Sequence, residues 1–363
     1  MYAVIQQDIL QAIGSSVLQP GNRLKTEKEL MEEYHVSRTT VVKALTDLAN
    51  AGIITRTAGK GSFVNSEALD RVSAQNRETG SRNILGYIAP MINDNFSTSI
   101  LNGILEALKP TKYSLMIKVS ETHANEIQCV DEFLSIGAQG LIVFPIDYEL
   151  YNPRILNLVS SRFPFVLLDR TLPGIQTHSV VTDNTAGMNL AVDHLYALGH
   201  KNVCFCTTSP FQIQPIAQRF SAFNDRLMTY NNTMRPFLLK DIVQDYAHFE
   251  KNEQLRQMLR EGEITAFLCV DSTVAMYVYA AARYLNRRVP EDLSIVSFDD
   301  PAPTYGDLKF FTFVKQDGAE LGRNAASILL DQIEGKIPSG SFARTVLSPA
   351  REINRSTAQP PHR

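Results

Sequence analysis

The chain has 363 residues, 44% hydrophobic and 20% charged, with a formal net charge of −3. That length is too great for one typical domain, so two or three are expected, each with enough apolar material for a core. The acidic balance excludes a surface coated in basic charge, and any contact with nucleic acid must be local.

Ile5, Ile9 and Ile13 recur at helical spacing, and Pro20-Gly21 breaks that helix. Thr26-Glu27-Lys28-Glu29 reads as a capping box opening a second helix that runs to about Tyr34. After a tight turn at His35-Val36, Ser37 caps a third helix that ends near Asn50, with Gly52 available for a left-handed turn behind it. Val41, Leu45 and Leu48 share one stripe of this third helix. Arg38, Thr39, Val42, Lys43 and Thr46 share the opposite side. Two helices joined by a short turn, the second polar on its outer face and capped at its start, make a helix-turn-helix. Residues 53–56 then pair with 62–64 across the glycine turn Ala58-Gly59-Lys60-Gly61, giving a wing. Lys60 sits at its tip, between glycines that permit close approach to a backbone or minor groove. Residues 1–64 carry seven Lys/Arg against six Asp/Glu, so the motif carries this reading and the charge does not.

Residues 66–82 are polar with few large apolar side chains and read as a linker, with a short helix over 68–74 as an option. From Asn83 the chain alternates. Strand-like runs fall at 84–89, 113–119, 140–144, 165–168, 203–206, 266–270 and 293–298. Helical patterns lie between them at 98–108, 124–136, 185–198, 213–228 and 273–285. Continuous apolar strands separated by helices imply parallel sheet covered on both faces, as one large sheet or two lobes. Ligands of such sheets bind beyond the carboxyl ends of the strands. Those positions hold Asp94, Asn95 and Phe96, then Asp169-Arg170, Asp271-Ser272 and Asp299-Asp300. Carboxylates and guanidinium groups that bond adjacent hydroxyls, with aromatics for the apolar ring face, suit a sugar. The plain alternative for any one strand-end Asp is a helix cap.

Four cysteines, Cys129, Cys204, Cys206 and Cys269, form no C-x-x-C and have no His at ligand spacing; they are expected in the core, Cys204 and Cys206 on one strand face, with no metal bound. The start does not resemble a secretory signal and no run of ~18 apolar residues offers a membrane span, so the expected location is cytoplasmic.

The head resembles the winged-helix domain of the GntR family. The matching residues are 24–30 (Leu-Lys-Thr-Glu-Lys-Glu-Leu), 36–41 (Val-Ser-Arg-Thr-Thr-Val), Ala44-Leu45, Leu48, Gly52-Ile53-Ile54 and 59–64 (Gly-Lys-Gly-Ser-Phe-Val). The resemblance implies DNA contacts from Lys28, Arg38 and the wing glycine, within a contact set of Lys28, Ser37, Arg38, Thr39, Val42, Lys43, Gly59, Lys60 and Gly61. Val42 stands where that family usually has arginine. Valine touches a thymine methyl but bonds no guanine edge, and Lys43 offers charge one position along.

Residues 83–354 resemble LacI-type regulators and the related periplasmic sugar-binding proteins. The resemblance rests on Gly86-Tyr87-Ile88, residues 137–142, Leu167-Leu168-Asp169-Arg170, Val181-Thr182-Asp183-Asn184, residues 194–203, Gln218-Arg219-Phe220, Val296-Ser297-Phe298-Asp299-Asp300 and Pro338. It implies two doubly wound lobes joined by three crossovers. A small-molecule effector, a monosaccharide with a pentose favoured, would be held by Asp94, Phe96, Asp169, Arg170, Arg219, Tyr246, Asp271, Asp299 and Gln316. Ring stacking on the first lobe rests on Phe96 alone, and Asp271 stands where asparagine is usual, which favours neutral hydroxyl-rich ligands.

The expected architecture is thus α/β with a small α+β head: a winged helix-turn-helix over 1–66, a linker over 67–82, a bilobal sensing and dimerisation domain over 83–355, and a disordered tail over 356–363. The combination resembles arabinose-repressor-type regulators. The expected function is a homodimeric, sugar-controlled transcriptional repressor on a near-palindromic operator, with a nucleoside or purine effector, or an activator, as alternatives. An enzyme acting on a sugar is the distant rival. The sequence shows no G-x-G-x-x-G after a strand, no phosphate-loop motif, no H-E-x-x-H and no G-x-S-x-G, and no enzyme is expected.

Overall fold

In a computed structural model of the chain, the described residues are 2–14, 17–34, 36–57, 59–68, 83–146, 151–208, 213–230, 233–301, 309–338 and 340–361. The main division falls between Ile84 and Leu85.

In the head, α1 (Tyr2–Gly14), α2 (Glu27–Tyr34) and α3 (Arg38–Asn50) precede a two-stranded antiparallel sheet of β1 (Ile54–Thr57) and β2 (Gly61–Val64). The caps form as the sequence requires. Glu29 Oε2 accepts from the Thr26 backbone N–H at 2.7 Å, and the Glu29 N–H donates to Thr26 Oγ1 at 3.3 Å. The Thr26 backbone bond holds the Glu29 carboxyl below its ordinary value. Ser37 Oγ accepts from the Thr40 N–H at the start of α3. Ile5 and Ile13 of α1 and Val41 and Leu45 of α3 are buried with Ile53 and Ile54 in one core. Gly52 is left-handed at φ 71°. Ala68 belongs to this core and is fully buried, so the head reaches past the boundary expected at residue 66. Of the expected linker and its optional helix, residues 69–82 lie outside the described residues, as do His35 and Ala58.

The second unit has two lobes. The first is built from β3 (Ile84–Ala89), α4 (Asn95–Leu108), β4 (Ser114–Val119), α5 (His123–Ser135), β5 (Gly140–Val143), α6 (Pro153–Ser161), β6 (Phe165–Leu168) and β7 (Ser179–Thr182). The chain then crosses to α7 (Asn184–Ala197), β8 (Asn202–Cys206), α8 (Gln214–Met228), β9 (Arg235–Leu239), α9 (Glu253–Glu261), β10 (Ala266–Cys269), α10 (Ser272–Tyr284), β11 (Ser294–Phe298) and β12 (Thr312–Lys315). It returns through α11 (Gly318–Ile333) and β13 (Arg344–Leu347) and crosses a third time to β14 (Ala350–Glu352). The sheets run β13-β7-β6-β5-β3-β4 and β14-β12-β11-β10-β8-β9. Between one large sheet and two lobes, the structure has two lobes with three crossovers.

Each sheet has its own apolar cluster. Leu85, Tyr87, Ile142, Val166 and Val180 of the first sheet are covered by Ile100 and Ile104 of α4 and by Leu321, Ala325 and Leu329 of α11. The second cluster joins Phe205, Phe267, Ile295 and Val296 to helices α7 to α10. All four cysteines are free and buried, and the sulfurs of Cys204 and Cys206 lie 3.8 Å apart along β8.

The C-terminal residues differ from the sequence expectation of a disordered tail. Ser356 is fully buried: its Oγ donates to the Ile295 carbonyl at 2.6 Å and accepts from the Thr312 N–H at 2.8 Å. Thr357 Oγ1 lies 2.9 Å from His194 Nε2, and the Ala358 carbonyl 2.9 Å from His200 Nε2. Few apolar residues stand here, so hydropathy gives no sign of a segment docked by hydrogen bonds. Residues 362 and 363 lie outside the described residues.

Candidate functional site

The outer face of α3 carries the expected DNA-contact residues. Thr39 and Lys43 are exposed and Val42 is half-buried, while Val41, Ala44, Leu45 and Leu48 face the core. Arg38 is 75% exposed but not isolated. Its Nε lies 3.1 Å from Glu27 Oε2, and Glu27 Oε1 takes Arg56 at 2.6 Å. Arg56 also donates to Thr46 Oγ1 at 2.9 Å. Glu27 of α2 and Arg56 of β1 therefore frame the start of α3, and sequence reasoning passed over both. Their signal was present: Glu27 follows the Thr26 cap, and Arg56 sits mid-strand among exposed positions. The Lys43 ammonium rests 4.3 Å above the Tyr2 ring of α1. Lys28 is exposed, with Glu32 one turn on at 4.0 Å. The Ser37 hydroxyl is engaged in the cap and with the Thr39 and Thr40 hydroxyls.

At the wing, Gly59 and Gly61 are left-handed at φ 73° and 113°. A Cβ on Gly61 would stand 2.9 Å from Arg23 Nε, so that glycine lets a second guanidinium lie along the wing beside Lys60.

The strand-end acids of the larger unit fall into two kinds. Asp94 and Asp271 are helix caps: Asp94 Oδ1 accepts from the Ser97 N–H at 2.6 Å, and Asp271 Oδ1 from the Val274 N–H at 2.8 Å. In both, these bonds go to Oδ1 and none goes to Oδ2. Asp169 and Asp299 are not caps. Each takes a left-handed backbone, φ 66° and 63°, one residue past β6 and β11. Each donates its N–H to the next strand, Asp169 to the Val180 carbonyl and Asp299 to that of Val314, both within 2.9 Å. The left-handed turn is costly for most side chains and tolerated by aspartate. The two lobes thus present a carboxylate from equivalent places at their facing ends.

Between these acids sit two guanidinium groups. Arg219 is buried, donating to Asn184 Oδ1 and the Val270 carbonyl at 2.8 Å, with its guanidinium carbon 3.6 Å from the Phe298 ring centroid. Burial pushes its pKa down, while Asp299, Asp169 and Asp271 pull it up. Arg170 donates to the Pro145 carbonyl at 2.9 Å and reaches Asp169 at 3.8 Å. Gln316, in the second crossover, donates to Asp299 Oδ2 at 2.7 Å, while its buried Oε1 has no hydrogen-bond partner. Burial raises the Asp299 carboxyl to about 7 against the pull of Arg219 and Gln316, and Asp169 and Asp94 push the same way as burial.

The structure therefore brings Asp94, Asp169, Arg170, Arg219, Asp271, Asp299 and Gln316 into one electrostatically linked group at the ends of the strands. Tyr246 joins its edge: 52% exposed, it packs at 5.2 Å on Tyr277, and burial with the Asp271 charge raises its phenol. Phe96 sits half-buried against the first lobe's core. The lobes also touch directly, Asn95 Nδ2 to the Asp300 carbonyl at 3.3 Å and Gln214 Oε1 to the Thr171 N–H at 2.8 Å. Sequence reasoning missed Tyr87, whose buried hydroxyl has no hydrogen-bond partner. No cluster of three or more His, Cys, Asp or Glu among the described residues could hold a metal ion, and no helix among them is long and apolar enough to cross a membrane.

This geometry, a helix-turn-helix head followed by a two-lobed unit with charged strand ends facing each other, has counterparts. Residues 1–64 match the family of bacterial regulatory proteins termed gntR, and residues 192–357 match the periplasmic binding protein-like domain. The chain thus carries a segment that matches the gntR model and, further on, one that matches the periplasmic binding protein-like model. Among its relatives is the arabinose metabolism transcriptional repressor of Halalkalibacterium halodurans, 26% identical over 370 residues that cover 99% of this chain and 96% of the relative. Similar solved structures include a LacI family transcriptional regulator from Enterococcus faecium with bound ribose. It is 22% identical, with TM-score 0.61, covering 76% of this chain and 99% of that one. A lac repressor dimer bound to operator and an anti-inducer is 21% identical, with TM-score 0.64, covering 79% and 98%. At these identities the solved structures bear on the fold.

Proposed function

We propose that this protein is a DNA-binding transcriptional repressor whose grip on its operator is set by a neutral monosaccharide, a pentose, held between the two lobes. The observation that carries the effector half is the facing pair Asp169 and Asp299, each displayed by a left-handed residue, with Arg170, Arg219 and Gln316 between them. Carboxylates accept from hydroxyls and guanidinium groups donate to them, so the group suits adjacent hydroxyls on a small uncharged ring. The relative named for arabinose metabolism and the fold counterpart with bound ribose support a pentose. The head supplies the DNA half, with Arg38 directed to base edges and Lys60 and Arg23 at the wing to phosphates. As a two-fold dimer the protein would place two such heads on a near-palindrome.

Coupling follows if the effector prefers one lobe arrangement. A preference of ~2–3 kcal/mol shifts operator affinity by roughly 30- to 150-fold. The test is a thermal-shift screen of the full chain against L-arabinose, D-ribose, D-xylose, hexoses and nucleosides. A pentose is expected to raise the Tm of the wild type and to lose that effect in Arg170→Ala and Asp299→Ala. Stabilisation by a nucleoside alone, or a pentose response that survives both substitutions, would overturn the assignment.

A further inference from the structure

Tyr87 lies in the middle of β3, in register with Ile142 of β5. It is fully buried, on the face of the first sheet that also holds Leu85, Ala89, Val166 and Leu168 and is roofed by α4 and α11. Tyrosine is an odd choice there. Its neighbours on that face are apolar, and its hydroxyl is shielded from solvent yet bonds to no protein atom. A buried hydroxyl left unpaired carries a desolvation cost that phenylalanine would avoid at nearly the same volume.

The hydroxyl's surroundings give it a use. The ring stands on a strand whose carboxyl end leads to Asp94, and Asp169 follows β6, two strands away in the same sheet. Burial first, and then the charges of Asp169 and Asp94, raise the phenol's pKa, so it remains a donor. Two other buried atoms of this neighbourhood also lack hydrogen-bond partners, Arg170 Nε and Gln316 Oε1. An unpaired hydroxyl and an unpaired amide oxygen around one pair of carboxylates, with Arg170 Nε held only by a 3.8 Å ion pair to Asp169, are what a ligand hydroxyl, able both to give and to accept, would satisfy.

We infer that the Tyr87 hydroxyl is a further effector contact that selects an uncharged polyol by donating to one of its hydroxyls from the floor of the first lobe. The inference rests on the interlobe sugar reading.

The test is Tyr87→Phe in the full chain, with L-arabinose and D-ribose titrated by calorimetry, Tm recorded without sugar, and operator binding recorded without sugar. The expected result is affinity for the bound pentose reduced about tenfold, the loss of one hydrogen bond, while sugar-free Tm does not fall and sugar-free operator binding is unchanged. Wild-type affinity in the variant would overturn the inference and leave the sugar reading standing, the hydroxyl then facing only water or empty space. A lower sugar-free Tm or weaker operator binding would mark Tyr87 as structural and also overturn it. Wild-type protein that binds neither pentose would sink both readings together.

Discussion

Arg38 and Asp299 are single side chains whose surroundings alter what each contributes. Arg38 is held by Glu27, which also holds Arg56, so its guanidinium is oriented before any contact with DNA. Arg38→Ala is expected to weaken operator binding by about 1–3 kcal/mol, read by titration at fixed salt, and to relax preference at the base pair it reads. Unchanged specific binding would remove Arg38 from the readout. Asp299 has a folded-state value raised from 3.8 to about 7, with Arg219, Gln316, Asp169 and Asp94 facing it. Its contribution to folding is fully present below the unfolded value and is lost as pH rises through about 7, because the folded protein keeps a proton the unfolded chain has released. Asp299→Asn is therefore expected to raise the effector-free Tm more at pH 8 than at pH 5, and an equal change at both would contradict the assignment. At this scale the sequence disclosed residue types at strand ends but not their roles. Asp94 and Asp271 turned out to cap helices as well as face the site, and Tyr87 was invisible because a tyrosine in an apolar strand reads as core.

Elements were legible where a local period or cap marked them. The three head helices, the wing and the strands at 84–89 and 165–168 follow from spacing and capping alone. What escaped were elements defined by long-range partners. β7 is four residues, Ser179–Thr182, with polar Ser and Thr, and is buried because β6 and β13 flank it. The strands β9, β12, β13 and β14 and the helices α6, α9 and α11 also went unassigned. α11 lies in the last third of the chain yet packs on α4 of the first lobe, a contact no local window contains. Glycines permit it: a Cβ on Gly103 would stand 2.0 Å from the Ala319 carbonyl oxygen, and one on Gly322 2.1 Å from that of Ile100. Because both obstacles are backbone, relief requires the helices to separate. Gly103→Ala is expected to cost about 1–3 kcal/mol in urea denaturation and to loosen the helix pair that leads to Asp94 and Gln316. A neutral substitution would show that this crossing is not close-packed.

At the scale of the whole molecule, the C-terminal segment ties the second lobe shut along β11 and β12. Burial leaves His194 and His200 each with a pKa lowered to about 4, joined by the Arg351 charge at His194 and the His194 charge at His200, while the bond to the Ala358 carbonyl pulls His200 the other way. For a depressed histidine, the stabilisation is present above the unfolded value of 6.5 and is lost as pH falls through the folded value. Chemical denaturation is expected to show stability declining from pH 7 toward pH 4. Truncation after Asn354, which removes Ser356 and its bonds to Ile295 and Thr312, should lower stability at pH 7 and flatten that decline. A truncated chain as stable as the full one would mean the segment is merely laid on the surface. What fills the space between Asp169 and Asp299 is expected to govern how firmly the winged heads hold a duplex. The most direct measurement is retention of an operator fragment by the full-length protein as L-arabinose or D-ribose is titrated in. Dose-dependent release by one of these pentoses, absent in Arg170→Ala, is the predicted result; retention that no carbohydrate alters would contradict it.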